Sequence, residues 1–403
     1  MTADDRSSRR FDFILFGATG FAGGLTAEYL ATQPDCAGLT WALAGRNLAR
    51  LEDVRAKLAA LNPDLAELPL IEIDLADADR LQAVVAEARA VATTVGPYIH
   101  YGEPLVAAAA AAGTDYLDLT GEPEFVDRML ATYDQPARES GARIVHCCGF
   151  DSIPHDLGAQ FTVEQLPTDQ PLTVEGFVRA GGRPSGGTWH SAIHAFSRAR
   201  GYAAQRRRQH RDSPGSNGAR RVRGTPPGVR WEARLQVWVC PFPSIDPQVV
   251  KRSARVLTAY GPDFRYGHYV AVRRLPMLAA GVAGVGALFI GAQVPPVRKA
   301  LLAMRAPGEG PDEAERARGW FEVHFLGRAA DGQSVHTRVS GGDPGYDETA
   351  RMLGESLLCL AHDEAAARPG IGTPATVLGL PLRQRLQRAG MGFDVVSTWR
   401  DLT

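Results

Sequence analysis

The chain predicts an α/β fold: a doubly wound parallel sheet at the N-terminus, followed by a second domain of mixed α+β type. Three observations carry this reading. The first 150 residues alternate short apolar strands with amphipathic helices, the rhythm of a parallel sheet covered on both faces. The first strand runs straight into a glycine-rich turn and a helix. Beyond about residue 160 the alternation stops, and strand-like runs, a basic stretch and a charge-free stretch take over. At 403 residues the chain exceeds one ordinary core. The expected divisions are 1–155, then 156–345, then C-terminal helices in 346–403 that return to the first domain.

Phe11 to Phe16 is aromatic and β-branched and reads as a strand. Gly17-Ala18-Thr19-Gly20-Phe21-Ala22-Gly23-Gly24 follows, and Leu25 to Ala31 reads as a helix. Strand, glycine turn and helix together are the setting of a dinucleotide-binding fingerprint, here spaced GxxGxxG. Gly17 permits a tight turn, Gly20 lets the backbone approach a pyrophosphate, and Gly23 lets the helix pack on the sheet. The phosphates would sit at the helix N-terminus. Gly17, Thr19, Gly20, Phe21 and Gly23 are the candidate cofactor contacts. The first domain is therefore expected to be of Rossmann type.

Leu39 to Ala44 is the second strand. Where an acidic residue would bond a ribose 2′-hydroxyl, the chain carries Arg46, which suits a 2′-phosphate and so NADPH. The alternative is a surface arginine opening the next helix. Asn47 to Leu61 has helical spacing, with Leu48, Leu51, Val54 and Leu58 on one face. Leu68 to Leu75 is a third strand. Asp74 at its end could meet the adenine or cap the helix that starts at Asp77. Val91 to Val95 is a fourth strand. Gly96-Pro97-Tyr98 follows it, where the backbone would pass the nicotinamide ribose, unless it is a plain turn. Strand Tyr116 to Leu119 leads to Thr120-Gly121-Glu122. Strand Arg143 to Cys148 leads to Gly149-Phe150-Asp151-Ser152-Ile153-Pro154-His155-Asp156. This last loop joins carboxylates, a hydroxyl and an imidazole at the sheet edge where ligands bind. Asp151 or His155 is a candidate for proton transfer; capping of the next helix is the competing reading.

In the second domain Val174 to Arg179 reads as a strand. His190 and His194 stand at i, i+4, but without an HExxH pattern or a third ligand, so no metal site is assigned. Residues 198–234 form a basic, Pro/Gly/Ser-punctuated stretch expected to be a loop. Leu275 to Val297 carries no charge. It is expected to form an apolar helical pair or a helix dipping into a membrane interface, with a buried core helix as the alternative. Trp320 to Leu326 and Ser334 to Ser340 predict a hairpin across Asp331-Gly332. A long helix to about His362, a helix after Gly370 to Ala375, and a short strand from Phe393 complete the chain.

The net charge of −1 offers no field for nucleic acid. Five cysteines without a CxxC pair fit a reducing compartment and no structural zinc. Met1 to Arg10 has no apolar signal core, so a cytoplasmic location is expected, peripheral at the inner face of the plasma membrane if 275–297 meets lipid.

Several stretches together resemble the saccharopine dehydrogenase-like reductases, and among them the trans-acting enoyl reductases of polyketide-lipid synthesis. They are Gly17 to Gly23, Ala44-Gly45-Arg46, Thr94 to Tyr98, Tyr116 to Glu122, Gly149 to Pro154, Ser185 to Thr188, Pro307 to Pro311, Gly341 to Tyr346 and Thr373 to Ala375. The resemblance implies an NADPH-dependent oxidoreductase acting on a C=C bond of a lipid or polyketide substrate; for that chemistry Tyr98 is a candidate donor to the developing enolate and Asp151 or His155 a candidate proton source. It also implies a polyketide synthase as partner; the expected oligomer is a homodimer. A reductase of a polar amino-acid-type substrate and a non-catalytic lipid-surface scaffold remain open.

Overall fold

The computed structural model describes residues 8–182, 189–190, 192–198, 201, 220–304, 311–362, 365–366 and 368–396. Ser185 to Thr188, the Arg206-Arg207-Arg208 run and 307–310 lie outside the described residues. The chain divides into two units: Met1–Ile153 with Gly342–Met391, and Pro154–Gly341 with Gly392–Thr403.

The first unit is built on seven parallel strands. They are β1 (Phe11–Phe16), β2 (Trp41–Gly45), β3 (Leu70–Glu72), β4 (Ala88–Thr93), β5 (Asp115–Asp118), β6 (Arg143–Val145) and a late strand, Gly370–Gly372. Their order is Gly370–Gly372, β6, β5, β4, β1, β2, β3. This is the Rossmann order with one strand added, and the chain reverses direction across the sheet between β1 and β4. Phe13, Ile14 and Leu15 are wholly buried, as a strand covered on both faces requires. The helices begin where local chemistry allows. Asn47 accepts from the Arg50 N–H to cap Leu48–Leu61, and Asp77 accepts from the Arg80 N–H to cap Ala78–Ala86. Pro123 opens Pro123–Ser140, and Gly141 closes it at φ +87°.

Helix Asp347–His362 packs on helix Phe21–Thr32. The Tyr29 hydroxyl donates to Glu355 (2.5 Å), and Glu355 and Asp35 both accept from Arg385 (2.8 and 2.6 Å). The C-terminal helices thus return to the first sheet, bringing Gly370–Gly372 as its edge strand beside β6.

The second unit holds an eight-stranded mixed sheet. Its strands are β7 (Leu172–Gly181), β8 (Arg221–Gly224), β9 (Arg230–Glu232), β10 (Val237–Pro241), β11 (Asp263–Val272), β12 (Trp320–Ala329), β13 (Ser334–Gly341) and the terminal strand Gly392–Val395. The order is Gly392–Val395, β13, β12, β7, β11, β10, β9, with β8 paired to β11. Phe177, Val237, Val239, Tyr269 and Leu326 form a core on it. β12 and β13 pair as the predicted hairpin, with Gly332 at φ +94° in its turn.

Two expectations change. The terminal strand was assigned with the C-terminal return, yet it joins the second unit because Val339 and its neighbours on β13 offer it an antiparallel edge. The basic stretch 198–234 was expected to be a loop; its described part contains β8 and β9. There Arg220 donates to the Ala254 (3.2 Å) and Leu257 carbonyls, Arg223 pairs with Asp263 (2.5 Å) and Arg230 with Glu175 (2.7 Å). These cations are used to fix strands. The apolar stretch is a helix pair, Leu275–Gln293 and Pro295–Ala303, as expected, and it is exposed, unlike the buried core helix of the alternative reading.

Candidate functional site

The glycine turn shows what each glycine is for. Gly17 sits at φ +88°, and a Cβ there would lie 2.7 Å from Thr94 Oγ1. A Cβ on Gly23 would collide with the Gly17 carbonyl. Both are fixed by the approach of β1, β4 and helix Phe21–Thr32, and Thr94 Oγ1 donates to the Gly17 carbonyl (3.2 Å) to hold that approach. Gly20 is exposed and would meet only the Gly17 carbonyl, at 3.3 Å. It is the N-cap of Phe21–Thr32, a helix start with no side-chain cap and no acid in its first turn. An uncapped, uncharged N-terminus under exposed Thr19 and Gly20 is a cradle that a pyrophosphate fits. Phe21 is held from the far end of the chain by edge-to-face contact with the buried Tyr346 ring (4.6 Å).

Arg46 is exposed at the carboxyl end of β2, beside β1 in the parallel sheet. The cap of the following helix is Asn47, so Arg46 is not needed to start that helix. Its place suits a 2′-phosphate. Asp74 is exposed after β3 and accepts from the Ala76 N–H (3.0 Å); the helix cap is Asp77.

After β4 come Gly96 and Pro97, joined by a cis peptide. The structure assigns Tyr98 a role other than the one expected. Its ring is buried, its hydroxyl donates to the Thr93 carbonyl (3.0 Å) and it accepts from the Leu119 N–H (3.2 Å). Burial, reinforced by Asp118, pushes that hydroxyl well above its ordinary pKa. Its one proton is committed to fastening β4 to the end of β5, so it does not serve as a donor to substrate. Glu122, also buried, accepts from the backbone N–H groups of Tyr98 (2.9 Å) and Ile99 (3.1 Å) and fixes the same turn.

A cluster that the sequence did not announce lies at the ends of β5 and β6. Buried Asp118 accepts from four donors: the backbone N–H groups of Thr120 (3.0 Å) and Cys147 (2.9 Å), the Tyr116 hydroxyl (3.1 Å) and His146 Nδ1 (2.6 Å). Cys147 stands at φ +64°, strained for a residue with a Cβ, and the Asp118 bond holds it there. The available signal was polar residues at Tyr116 and Asp118, two apart on one face of a buried strand.

The loop 149–152 keeps Asp151 exposed. The Phe150 N–H donates to Thr349 Oγ1 (3.2 Å), which ties the loop to helix Asp347–His362. A Cβ on Gly121 would lie 3.0 Å from the Asp151 carboxylate, so the two loops after β5 and β6 adjoin.

His155 does not stay in that loop. It belongs to the second unit, on helix Ile153–Val163, and is 2% exposed. There it meets Asp246 (3.8 Å), with His268 edge-on at 4.9 Å between ring centroids. His268 Nε2 lies 3.3 Å from Asp246, its Nδ1 3.3 Å from the Tyr266 hydroxyl, and Ser244 donates to Asp246 (2.5 Å). The candidate ligand atoms of this trio lie within 4.8 Å of one another. Burial leads in lowering the His155 pKa to about 4. A wholly buried imidazole that is neutral at physiological pH packs against its neighbours and is not a proton source reached from solvent. His190 and His194 stand 6.5 Å apart between ring centroids.

Comparison with known proteins decides the family. Residues 13–145 match the saccharopine dehydrogenase NADP-binding domain. The chain is 38% identical over 418 aligned residues to Rv2449c of Mycobacterium tuberculosis (strain ATCC 25618 / H37Rv), provisionally named a trans-acting enoyl reductase. That match covers 96% of this chain and 97% of the relative. The chain belongs to the trans-acting enoyl reductase family of saccharopine dehydrogenase-like proteins. A trans-acting enoyl reductase of Mycobacterium bovis (strain BCG / Pasteur 1173P2) is 35% identical over 96% of this chain and 97% of its own length. In fold, the chain matches saccharopine dehydrogenase (L-Glu forming) from Saccharomyces cerevisiae with a TM-score of 0.56 at 13% identity, covering 96% of this chain and 100% of that one. This family member is an NADP-dependent oxidoreductase. The residues present fit the cofactor: Gly17 to Gly23 and the free start of helix Phe21–Thr32 suit the pyrophosphate, and Arg46 the 2′-phosphate.

Proposed function

We propose that this oxidoreductase reduces a C=C bond conjugated to a carbonyl, in a lipid or polyketide-derived thioester handed to it by a polyketide synthase without a working reductase domain of its own. The observation that carries the reading is near full-length identity of 35–38% to relatives named as trans-acting enoyl reductases, with the nucleotide cradle intact. NADPH, when bound, supplies the hydride. The chain's own residues bind and orient: Gly17, Thr19, Gly20, Phe21 and Gly23 hold the phosphates, Arg46 selects NADPH, and Asp74 lies toward the adenine side. Gly96 and Pro97 line the path of the nicotinamide ribose. The electrons go to the β-carbon; the α-carbon then takes a proton, which exposed Asp151 relays from water. The expected location is cytoplasmic.

The test uses NADPH deuterated at the transferable position and a 2-enoyl thioester. The proposal expects one deuteron at the β-carbon of the saturated product per NADPH consumed, and Asp151→Asn lowering kcat with NADPH affinity unchanged. NADPH binding without transfer to any enoyl thioester, combined with turnover of a polar keto or amino acid, would replace the proposal with an amino-acid-type reductase.

A further inference from the structure

Leu275–Gln293 is apolar on every face, with Gln293 its one polar side chain. Such a helix belongs in a protein core or in lipid. Only 11% of its most apolar 18-residue window is buried, and Met277, Val282, Val285 and Ile290 are 49–66% exposed. It is not core in its own unit. Basic residues bracket it: Arg273 and Arg274 before, Arg298 and Lys299 after. From Leu275 to Val297 there is no charge of either sign.

We propose that this helix pair seats the protein on one leaflet of an anionic membrane, as a monotopic anchor. Topology excludes a span. The strand before the pair, β11, and the strand after it, β12, both pair with β7 in one sheet. Both ends of the pair therefore lie on the same side of any bilayer. Helix Leu275–Gln293 is about 28 Å long, close to one hydrocarbon thickness, but the return helix Pro295–Ala303 has nine residues, about 14 Å. The chain beyond it carries Asp312, Glu313, Glu315, Arg316 and Arg318, which do not cross hydrocarbon. The return helix packs against the first: a Cβ on Gly291 would lie 3.1 Å from Val297 and 3.4 Å from Leu301. The remaining solution lays the pair in the interfacial region of one leaflet, apolar faces among the acyl chains and the four cations among anionic headgroups. This inference is independent of the reaction proposed above.

The experiment is flotation of the purified full chain with vesicles of phosphatidylcholine containing 30% phosphatidylglycerol, against pure phosphatidylcholine, at low and high salt. The protein is expected to float with the anionic vesicles and to bind at least about fivefold less to neutral ones or at 1 M salt. Val282→Asp/Val285→Asp/Ile290→Asp should lower partition by at least about tenfold while NADPH binding is kept, since the replaced side chains face solvent. No flotation by wild-type protein that binds NADPH would overturn the proposal. So would wild-type self-association that the triple variant abolishes without any vesicle binding, which would assign the apolar face to a second copy of the chain.

Discussion

Replacing Asp118 by Asn tests whether its buried cluster holds the sheet edge together. Oδ1 of the new amide would keep the Thr120 and Cys147 N–H groups. The other side of the carboxylate changes. It accepts from the Tyr116 hydroxyl and from His146 Nδ1 at 2.6 Å, and an amide NH2 offers neither an acceptor. His146 must then move its proton to Nε2, which is buried and has no hydrogen-bond partner. Two bonds to a charged acceptor, at roughly 1.5–3 kcal/mol each, are exchanged for neutral bonds of about 1 kcal/mol at best. A net loss of about 3 kcal/mol is expected, which for a unit of this size lowers Tm by about 6–12 °C. Differential scanning fluorimetry on the wild type and the variant, with the NADPH-dependent rise in Tm as a second reading, measures it. A fall of less than about 2 °C would refute the reasoning and show that the cluster is not a net stabiliser.

Three further outcomes follow from the same geometry. Arg46→Asp should weaken NADPH by roughly tenfold or more and leave NADH no weaker, since an exposed cation near a 2′-phosphate contributes about 1–2 kcal/mol; an unchanged ratio of the two affinities removes Arg46 from the phosphate site. Tyr98→Phe should destabilise by about 1–3 kcal/mol through the stranded Leu119 N–H and Thr93 carbonyl, with kcat retained within about threefold; a loss of a hundredfold in kcat at unchanged Tm would restore a catalytic role. His155, facing Asp246 and His268, stays neutral in the fold down to about pH 4, whereas the unfolded chain takes up that proton near pH 6.5. The unfolded state binds more protons between those values, so stability should fall as pH drops from about 6.5 to about 4, by on the order of 3 kcal/mol. His155→Gln should flatten that slope in chemical denaturation, and an identical slope would contradict the assignment.

The parts of the fold that were legible are those whose local chemistry repeats in space. The first strand, glycine turn and helix could be read because Gly17 and Gly23 are demanded by the backbone itself, and a sequence cannot hide such a demand. The place of Arg46 at the carboxyl end of β2 could be read from the strand pattern alone. Gly370–Gly372 could not: three residues, two of them glycine, become a strand only because β6 leaves an open edge. β8 and β9 were concealed by arginines, whose partners Asp263 and Glu175 lie far away in sequence. Asp118 and His146 are 28 residues apart and meet only because adjacent parallel strands end together. His155 misled for a related reason. It follows a polar loop in sequence, yet the helix it sits on turns its imidazole into the second unit's interior, against residues almost a hundred positions on. Tyr98 lay at the right strand end, but its hydroxyl had already been claimed by backbone groups that no sequence pattern displays.

The measurement closest to the central claim is a titration of the purified protein with NADPH and with NADH, followed by nicotinamide fluorescence, then addition of a 2-enoyl thioester to the NADPH complex with absorbance read at 340 nm. Preferential NADPH binding, followed by stoichiometric loss of absorbance and formation of the saturated thioester, is the predicted result. Failure to bind NADPH, or binding with no oxidation by any enoyl thioester, would contradict the account.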